Sequence, residues 1–482
     1  MKKIFNYKLI GALMISFLML SSCDSFLDVN DHPNKQTDPT LSTLASSAII
    51  KTADLHTSFS QATNRYTQHL SGVGQSETDQ YAENTMSGTW YNLYVGALAD
   101  LDELTKLAEE NEASHFLGLA QVLTAANIGA ATDVWDAIPY SDALQGNENY
   151  LPTFDTQDEI YAEVFRLLDE AIINLGKTDV VYDFTSISGD FDLFYEGDAS
   201  KWLKMAYAYK ARYLLHWSSS SAGDITTAAN SALSSNADDA DFYYSEQNHS
   251  PYYNIALSNN TGNLTITFAD YYIQVLNGNI YGTALDPRLA IVADTNVVTH
   301  NGVFTGYPVG AISGDRPTDL NFTENCWHFG MLSAIPVMTY AEQQFIIAEV
   351  EVNGGAQGQA FNAWDNGVRA NMEKLGVAGG DIDDYITDSG VDASNITIAD
   401  VMKEKYIAMF LQYEAWNDMR RYDYGDGNTT YQGLTQPIGN VLGTTWARRV
   451  MYPLTEQNRN GINVDAAKGS DYGMAKAVTW NQ

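Results

Sequence analysis

The residues with the most chemical potential in this chain are carboxylates. Asp133 with Asp136, or Glu349 with Glu351, are the pairs that glycoside hydrolysis would use. Retaining chemistry needs two carboxyl groups about 5 Å apart across a cleft, which chain spacing does not establish. In a sequence with 60 acidic residues most such pairs are solvated surface. Asp381, Asp383 and Asp384, and further on Asp423, Asp426 and Asn428, offer hard oxygen ligands of the kind calcium takes. Neither group has the twelve-residue EF-hand spacing, and acidic loops are the simpler reading. The eight histidines stand singly, with no His-Glu-x-x-His pair, no Gly-x-Ser-x-Gly elbow, no Walker loop and no dinucleotide fingerprint. These residues assign no catalytic site, no metal and no cofactor.

One further residue suggests a covalent modification. Cys23 follows Leu20-Ser21-Ser22, an apolar run from Leu9 to Leu20, and a basic start of Met1, Lys2, Lys3 and Lys8. That is the layout of a secretory signal, and Leu-Ser-Ser-Cys resembles a bacterial lipobox. The resemblance implies cleavage before Cys23 and acylation of its sulfur and new amino end, tying a water-soluble body to a membrane. An ordinary signal peptide and an uncleaved anchor are the alternatives, and the apolar run is short for a spanning helix. Residues 1–22 are read as the signal peptide and 23–40, with Pro33 and Pro39, as a polar tether.

The formal net charge is −34, and the signal's three lysines make the remainder more acidic still. Such a chain should avoid nucleic acid and anionic lipid surfaces. Hydrophobic residues make up 45% of the sequence, enough for a sizeable core. Of its two cysteines, lipidation of Cys23 leaves Cys326 without an intramolecular partner, as a small buried hydrophobe beside Trp327.

Residues 41–482 are read as one domain, mainly α-helical. Leu41, Leu44, Ala45, Ala48 and Ile49 share one helical stripe, as do Trp90, Tyr94, Ala97, Leu101, Leu104 and Ala108. A run over about 113–130 follows, then a turn-rich stretch to Pro152. Thr156 and Glu159 form a capping box ahead of Ile160, Val164, Leu167, Leu168, Ala171 and Leu175, with Gly176 as the stop. Helices are predicted over about 200–217, 339–352, 359–375 and 398–419, with a glycine- and aspartate-rich stretch at 379–395 and a turn-rich tail from Gly425. These pairs suggest helical hairpins over 41–217 and 336–482, without a strict repeat. Between them, 218–335 reads as a large irregular insertion, partly β, with a strand-like piece at 264–268.

That insertion is rich in rings and poor in cations. Nine aromatics fall between Phe242 and Tyr281, about twice the chain average, and no Lys or Arg occurs between Arg212 and Arg288. Before Arg369 only Arg288 and Arg316 occur. An anionic ligand would want cationic forks. Aromatic faces with amides and hydroxyls suit a neutral sugar, although many of these rings are expected to fill the core instead.

Several segments, taken in order, resemble the SusD/RagB family of nutrient-binding outer-membrane lipoproteins. They are the lipobox with Cys23-Asp24-Ser25-Phe26-Leu27-Asp28, Trp90-Tyr91-Asn92-Leu93-Tyr94, and Thr132 through Leu144. Later come Lys201-Trp202, Lys210-Ala211-Arg212, Asp286-Pro287-Arg288-Leu289, Tyr340-Ala341-Glu342, Phe345 through Glu349, Lys405 through Met409, Glu414 through Arg421, and Arg449 through Pro453 with Glu456 and Asn458. The resemblance covers nearly all of 23–482. It implies tetratricopeptide-like helix pairs carrying an irregular lobe, and a non-enzymatic role. The protein would capture a glycan at the cell surface, or in some members a peptide, and pass it to a SusC-like TonB-dependent transporter. A surface glycoside hydrolase is the alternative class. Asp24 and Asp28 resemble the surface-export pattern of such lipoproteins. Glu349, Arg420 and Arg421 read as buried ion-pair and capping residues. Family ligand sites lie on variable loops, so the ligand-binding candidates are Tyr81, Asn84 and Trp90 before the first helix pair, and Tyr252, Tyr253, Tyr307 and Trp327 in the insertion.

Overall fold

Helix α1 (Leu41–Tyr66) opens the fold and buries Leu44, Ala48, Ile49, Leu55 and Phe59. The computed structural model describes residues 39–482 apart from 75, 179–180, 183, 185–188, 218, 262–264, 296–303, 313–321, 428 and 482. The signal, Cys23, nearly all of the tether, Leu264, Arg316 and Asn428 therefore lie outside the described residues. Residues 41–482 form a single unit, and no described helix is long and apolar enough to cross a membrane.

The Trp90 stripe folds as α2 (Ser87–Tyr91), a π-helical stretch (Asn92–Leu98) and α3 (Ala99–Glu110). Helix α4 runs from Ser114 to Trp135, past the end predicted near 130, and stops where Asp136 turns to φ 76°. Its sequence is apolar on nearly every side because it is the central helix, enclosed by neighbours. Gly129 lets the helix that carries Tyr213 approach, since a Cβ there would meet the Tyr213 ring at 2.3 Å. Helix α5 (Gln157–Leu175) carries the predicted capping box on Thr156 and Glu159. Next come α6 (Ala199–His216) and α7 (Ala222–Ser231), the latter capped by Ser221.

The stretch expected to be irregular is more helical than its composition suggests. Besides α7 it holds α8 (Pro251–Asn260), α9 (Asp270–Leu276) and α10 (Leu289–Val292). They are short, and the polar sequences of α7 and α8 hide their helicity. Its two strands are small and each pairs antiparallel with a strand from the flanking chain: β1 (Leu70–Gly72) with β3 (Ile266–Phe268), and β2 (Ala240–Phe242) with β4 (Ile335–Met338). Helices α11 (Tyr340–Asn353) and α12 (Gln357–Leu375) form the next hairpin. The glycine- and aspartate-rich stretch is helix α13 (Gly379–Ser389), since Ile382, Tyr385 and Ile386 bury one face. The run expected at 398–419 is two helices, α14 (Ile398–Ala408) and α15 (Glu414–Arg421), broken where Leu411 takes φ 62°. Two short helices, α16 (Leu454–Arg459) and α17 (Gly461–Lys468), lie in the turn-rich tail.

Helices on both sides of 218–335 meet in a buried polar network. On α6, Arg212 donates to both Glu342 oxygens of α11 at 2.6 Å. His216 Nε2 lies 2.6 Å from Glu414 of α15, and Nδ1 lies 3.3 Å from Asp133 of α4. Tyr161 and Trp480 donate to Asp133 Oδ1 at 2.6 and 2.8 Å. Burial alone would lower the His216 pKa, but the Glu414 and Asp133 carboxylates outweigh it and raise it to about 9. The imidazolium belongs to the folded state at neutral pH. Its stabilisation is complete below the unfolded value of about 6.5 and is lost as pH rises through about 9.

Replacing His216 with glutamine should cost about 3 kcal/mol at pH 6, because it leaves buried carboxylates short of a partner. In urea unfolding the gap between wild type and variant should shrink as pH rises from 6.5 through 9. A gap independent of pH would mean that His216 is neutral in the folded protein.

Candidate functional site

Four segments that are distant in sequence, three loops and the short helix α9 with the turn after it, converge on a cleft of about 300 Å³. Its walls are Gln68, Asp270, Tyr271 and Gln274, then Ile280, Pro308 and Val309, and finally the tail segment 433–438. Gln68 follows α1 in the left-handed region at φ 58°, a costly conformation for a residue with a side chain. Its amide donates to the Thr435 carbonyl at 2.6 Å. Residues 306–310 are held against α9 by a short parallel bridge in which Tyr307 N–H donates to Phe268 O at 2.8 Å and Asp270 N–H donates to Tyr307 O at 3.0 Å. Ile438 N–H donates to Val309 O at 2.9 Å, and Gln80 Nε2 donates to Gly310 O at 3.0 Å. Gly310 sits at φ 79°, where a Cβ would meet Ile438 O at 2.2 Å, so only glycine allows this crossing.

The lining chemistry is neutral except for one carboxylate. Ile280, Pro308, Val309, Pro437 and Ile438 give apolar surface, while Gln68, Gln274, Thr435 and Gln436 give amides and a hydroxyl. Among the described residues no Lys, Arg or His lines the cleft. Asp270 Oδ1 accepts from Gly306 N–H and from Gln274 Nε2, both at 3.0 Å. The Tyr271 hydroxyl is buried without a hydrogen-bond partner. Burial raises its pKa, and it stays a phenol at neutral pH.

A second groove, of about 310 Å³, lies among α3, α4, α5 and the loop 140–144. Most of its charges are already paired: Arg166 with Glu163 and Glu170 at 2.7 and 2.6 Å, and Asp102 with Lys106 at 2.6 Å, while Gln121 donates to Glu170 at 3.0 Å. Ion pairs within one helix surface contribute little energy and offer a ligand little.

The predicted ligand residues do not gather in one place. Tyr81 is buried against Tyr66 and Trp446. Asn84 braces a turn, donating to the Tyr66 hydroxyl at 3.0 Å and accepting from Met86 N–H at 3.1 Å. Trp90 is buried among Trp135, Phe154 and Tyr452. Tyr252 is 1% exposed, with its hydroxyl 2.6 Å from Ser60 Oγ. Tyr253 is buried edge-on to His249, and Trp327 is half-buried against His328. Tyr307 is buried too, but it adjoins Pro308 of the cleft. Of the nine clustered aromatics only Tyr243 is well exposed, so the ring density mainly fills core. Sequence reasoning did not single out Gln68, Asp270, Gln274 or the 433–438 loop. The available signal was glutamines near glycine and proline turns: Gln274 ahead of Asn277-Gly278-Asn279, and Gln436 before Pro437.

The carboxylates suggested for hydrolysis serve the scaffold. Asp133 is fully buried in the His216 network, and Asp136 accepts from Arg449 at 3.3 Å and Thr479 N–H at 2.9 Å. Glu349 is held by Arg421 at 2.6 and 2.9 Å. Burial would raise its pKa, but Arg421 and Lys405 hold it down at about 2. Arg420 caps α4 by donating to Asp133 O at 2.7 Å. Asp381, Asp383 and Asp384 project from α13, with Asp383 paired to Arg369 at 2.7 Å. Asp423 pairs with Arg448, and Asp426 accepts from Trp446 Nε1 at 2.8 Å.

Residues 33–453 match a SusD-like family described as starch-binding and associating with the outer membrane. The chain belongs to this family. Solved structures agree in fold. A SusD homologue from Bacteroides fragilis superposes with a TM-score of 0.72 at 20% identity, over 92% of this chain and 100% of its own. A chitin-binding SusD homologue from Flavobacterium johnsoniae gives 0.72 at 19%, over 91% and 98%. A SusD/RagB family protein from Bacteroides thetaiotaomicron gives 0.71 at 23%, over 92% and 99%. No curated protein matches the chain in sequence. In this SusD-like chain the segments that carry the resemblance, among them Arg212, Glu342, Glu349, Glu414 and Arg420, are the buried ionic scaffold, while the cleft is built from other residues.

Replacing Tyr252 with alanine should lower the unfolding free energy by about 3–5 kcal/mol, as for other large buried rings. A urea midpoint unchanged from wild type would show that the ring does not pack as described.

Proposed function

We propose that this protein is a cell-surface lipoprotein that captures a neutral oligosaccharide in the cleft at Gln68, Asp270 and Gln274 and delivers it to a SusC-like TonB-dependent transporter. The carrying observation is the cleft's chemistry: amides and one carboxylate beside apolar walls, with no cation among the described residues. Sugar hydroxyls pair with amides and carboxylates, while C–H faces of the ring pack on Ile280, Pro308 and Ile438. The family description and the two structurally similar proteins described as chitin-binding support a glycan over other ligands. Binding without turnover fits the engagement of Asp133, Asp136 and Glu349 in scaffold contacts. Lipid on Cys23 would hold the body at the outer membrane, with residues 23–40 as a tether.

The soluble body should retain neutral oligosaccharides from a mixed panel of glycans and peptides and release no cleavage products. Retention of peptides alone would shift the reading to peptide capture, and turnover would make the protein a hydrolase. Gln274→Ala should weaken glycan retention three- to tenfold, the worth of about one hydrogen bond, whereas Arg166→Ala in the second groove should leave it unchanged. In cells, Cys23→Ser should abolish incorporation of labelled palmitate, and persistent labelling would exclude Cys23 as the anchor.

A further inference from the structure

We propose that Asp270 is the specificity-determining residue of the cleft, a charge filter that admits uncharged sugars and rejects those bearing carboxylate or sulfate. The inference rests on the glycan-capture reading above and names what that site discriminates against.

Asp270 lines the cleft and is half-buried. Both hydrogen bonds that the protein gives it fall on Oδ1, from Gly306 N–H and Gln274 Nε2 at 3.0 Å each. Among the described residues Oδ2 receives none, and the carboxylate has no cationic partner. This differs from the other buried or half-buried acids described above: Glu342, Glu349 and Glu414 each face Arg, Lys or His at 2.6 Å or closer contact distances. A ligand entering the cleft strips water from Asp270, and that loss must be offset by a donor. A sugar hydroxyl supplies one to Oδ2. The carboxylate of a uronate or the sulfate of an ester supplies none at that position and brings a like charge, with no Lys, Arg or His among the described lining residues to neutralise it. The net charge of −34 adds a field of the same sign over the whole surface. The discrimination is thus local, at one oxygen, and reinforced at long range.

A purely structural role predicts something different. If Asp270 only braces residues 306–310 through Oδ1, the charge is incidental. Asparagine keeps an Oδ1 acceptor for Gly306 and Gln274 and removes only the charge, so Asp270→Asn separates the two roles.

The test uses the soluble body and two probes: a pool of neutral glucose and N-acetylglucosamine oligosaccharides, and the same pool after oxidation of its C6 hydroxymethyl groups to carboxylates. The wild type should bind the oxidised pool at least thirtyfold more weakly at 20 mM salt, and the ratio should shrink at 500 mM salt because charge repulsion is screened. Asp270→Asn should narrow the ratio to within about threefold by strengthening binding of the oxidised pool. Thr435→Lys, which adds a cation to the lining while leaving Asp270 and both of its hydrogen bonds in place, should narrow it as well, and serves if the asparagine variant fails to fold. Equal binding of both pools by the wild type, or a ratio unmoved by these variants and by salt, would overturn the filter while leaving glycan capture standing. Binding of neither pool would overturn both.

Discussion

The structure depends on keeping paired charges away from water. Arg212, His216, Glu342, Glu414 and Asp133 meet at the junction of α4, α6, α11 and α15, which come from both sides of residues 218–335. A second network joins Arg288 to Asp286 and Glu404 at 2.6 and 2.5 Å and to Asn371 at 2.9 Å, fastening the middle of the chain to α12 and α14. A third joins Glu349, Arg421, Lys405 and Asp418. Each charge is expensive to bury and each is expensive to orphan. The networks therefore act less as sources of stability than as constraints, since only one arrangement of the helices satisfies all of them.

That constraint explains how the cleft can be made of loops and one short helix. Its walls come from residues near 68, 270–280, 306–310 and 433–438, and none belongs to a long helix. They stay in register because α1, α14 and β1–β3 are fixed beneath them: Tyr406 of α14 donates to the Thr67 and Gln68 carbonyls at 3.1 Å, and His69 stacks on Tyr406 with centroids 4.2 Å apart. A rigid helical body with an adaptable loop surface lets one fold serve different ligands.

The scaffold was largely legible in the sequence. Apolar stripes located α1, α3, α4 and α5, the Thr156 capping box marked α5, and the ordered motifs pointed to the family. Helices α8, α9 and α13 were hidden because each buries only a few side chains in a short, polar or glycine-containing stretch. The site was less legible for a physical reason. Ring density signals burial and binding alike, and in Tyr252, Tyr253 and Trp90 burial prevails. The residues that line the cleft are glutamines and one aspartate, in a chain where acids are common everywhere. Only the convergence of four distant segments distinguishes them, and no local pattern encodes it. The same holds for Asp133 and Glu349, whose partners lie far along the chain.

The most direct measurement is hydrogen–deuterium exchange of the soluble body with and without a retained oligosaccharide. Protection should appear together in peptides covering 68–81, 270–280, 306–310 and 433–441, with the α3–α5 groove unchanged. Protection confined to residues 98–170, or to the surface around Tyr243, would contradict the placement of the binding site in this cleft.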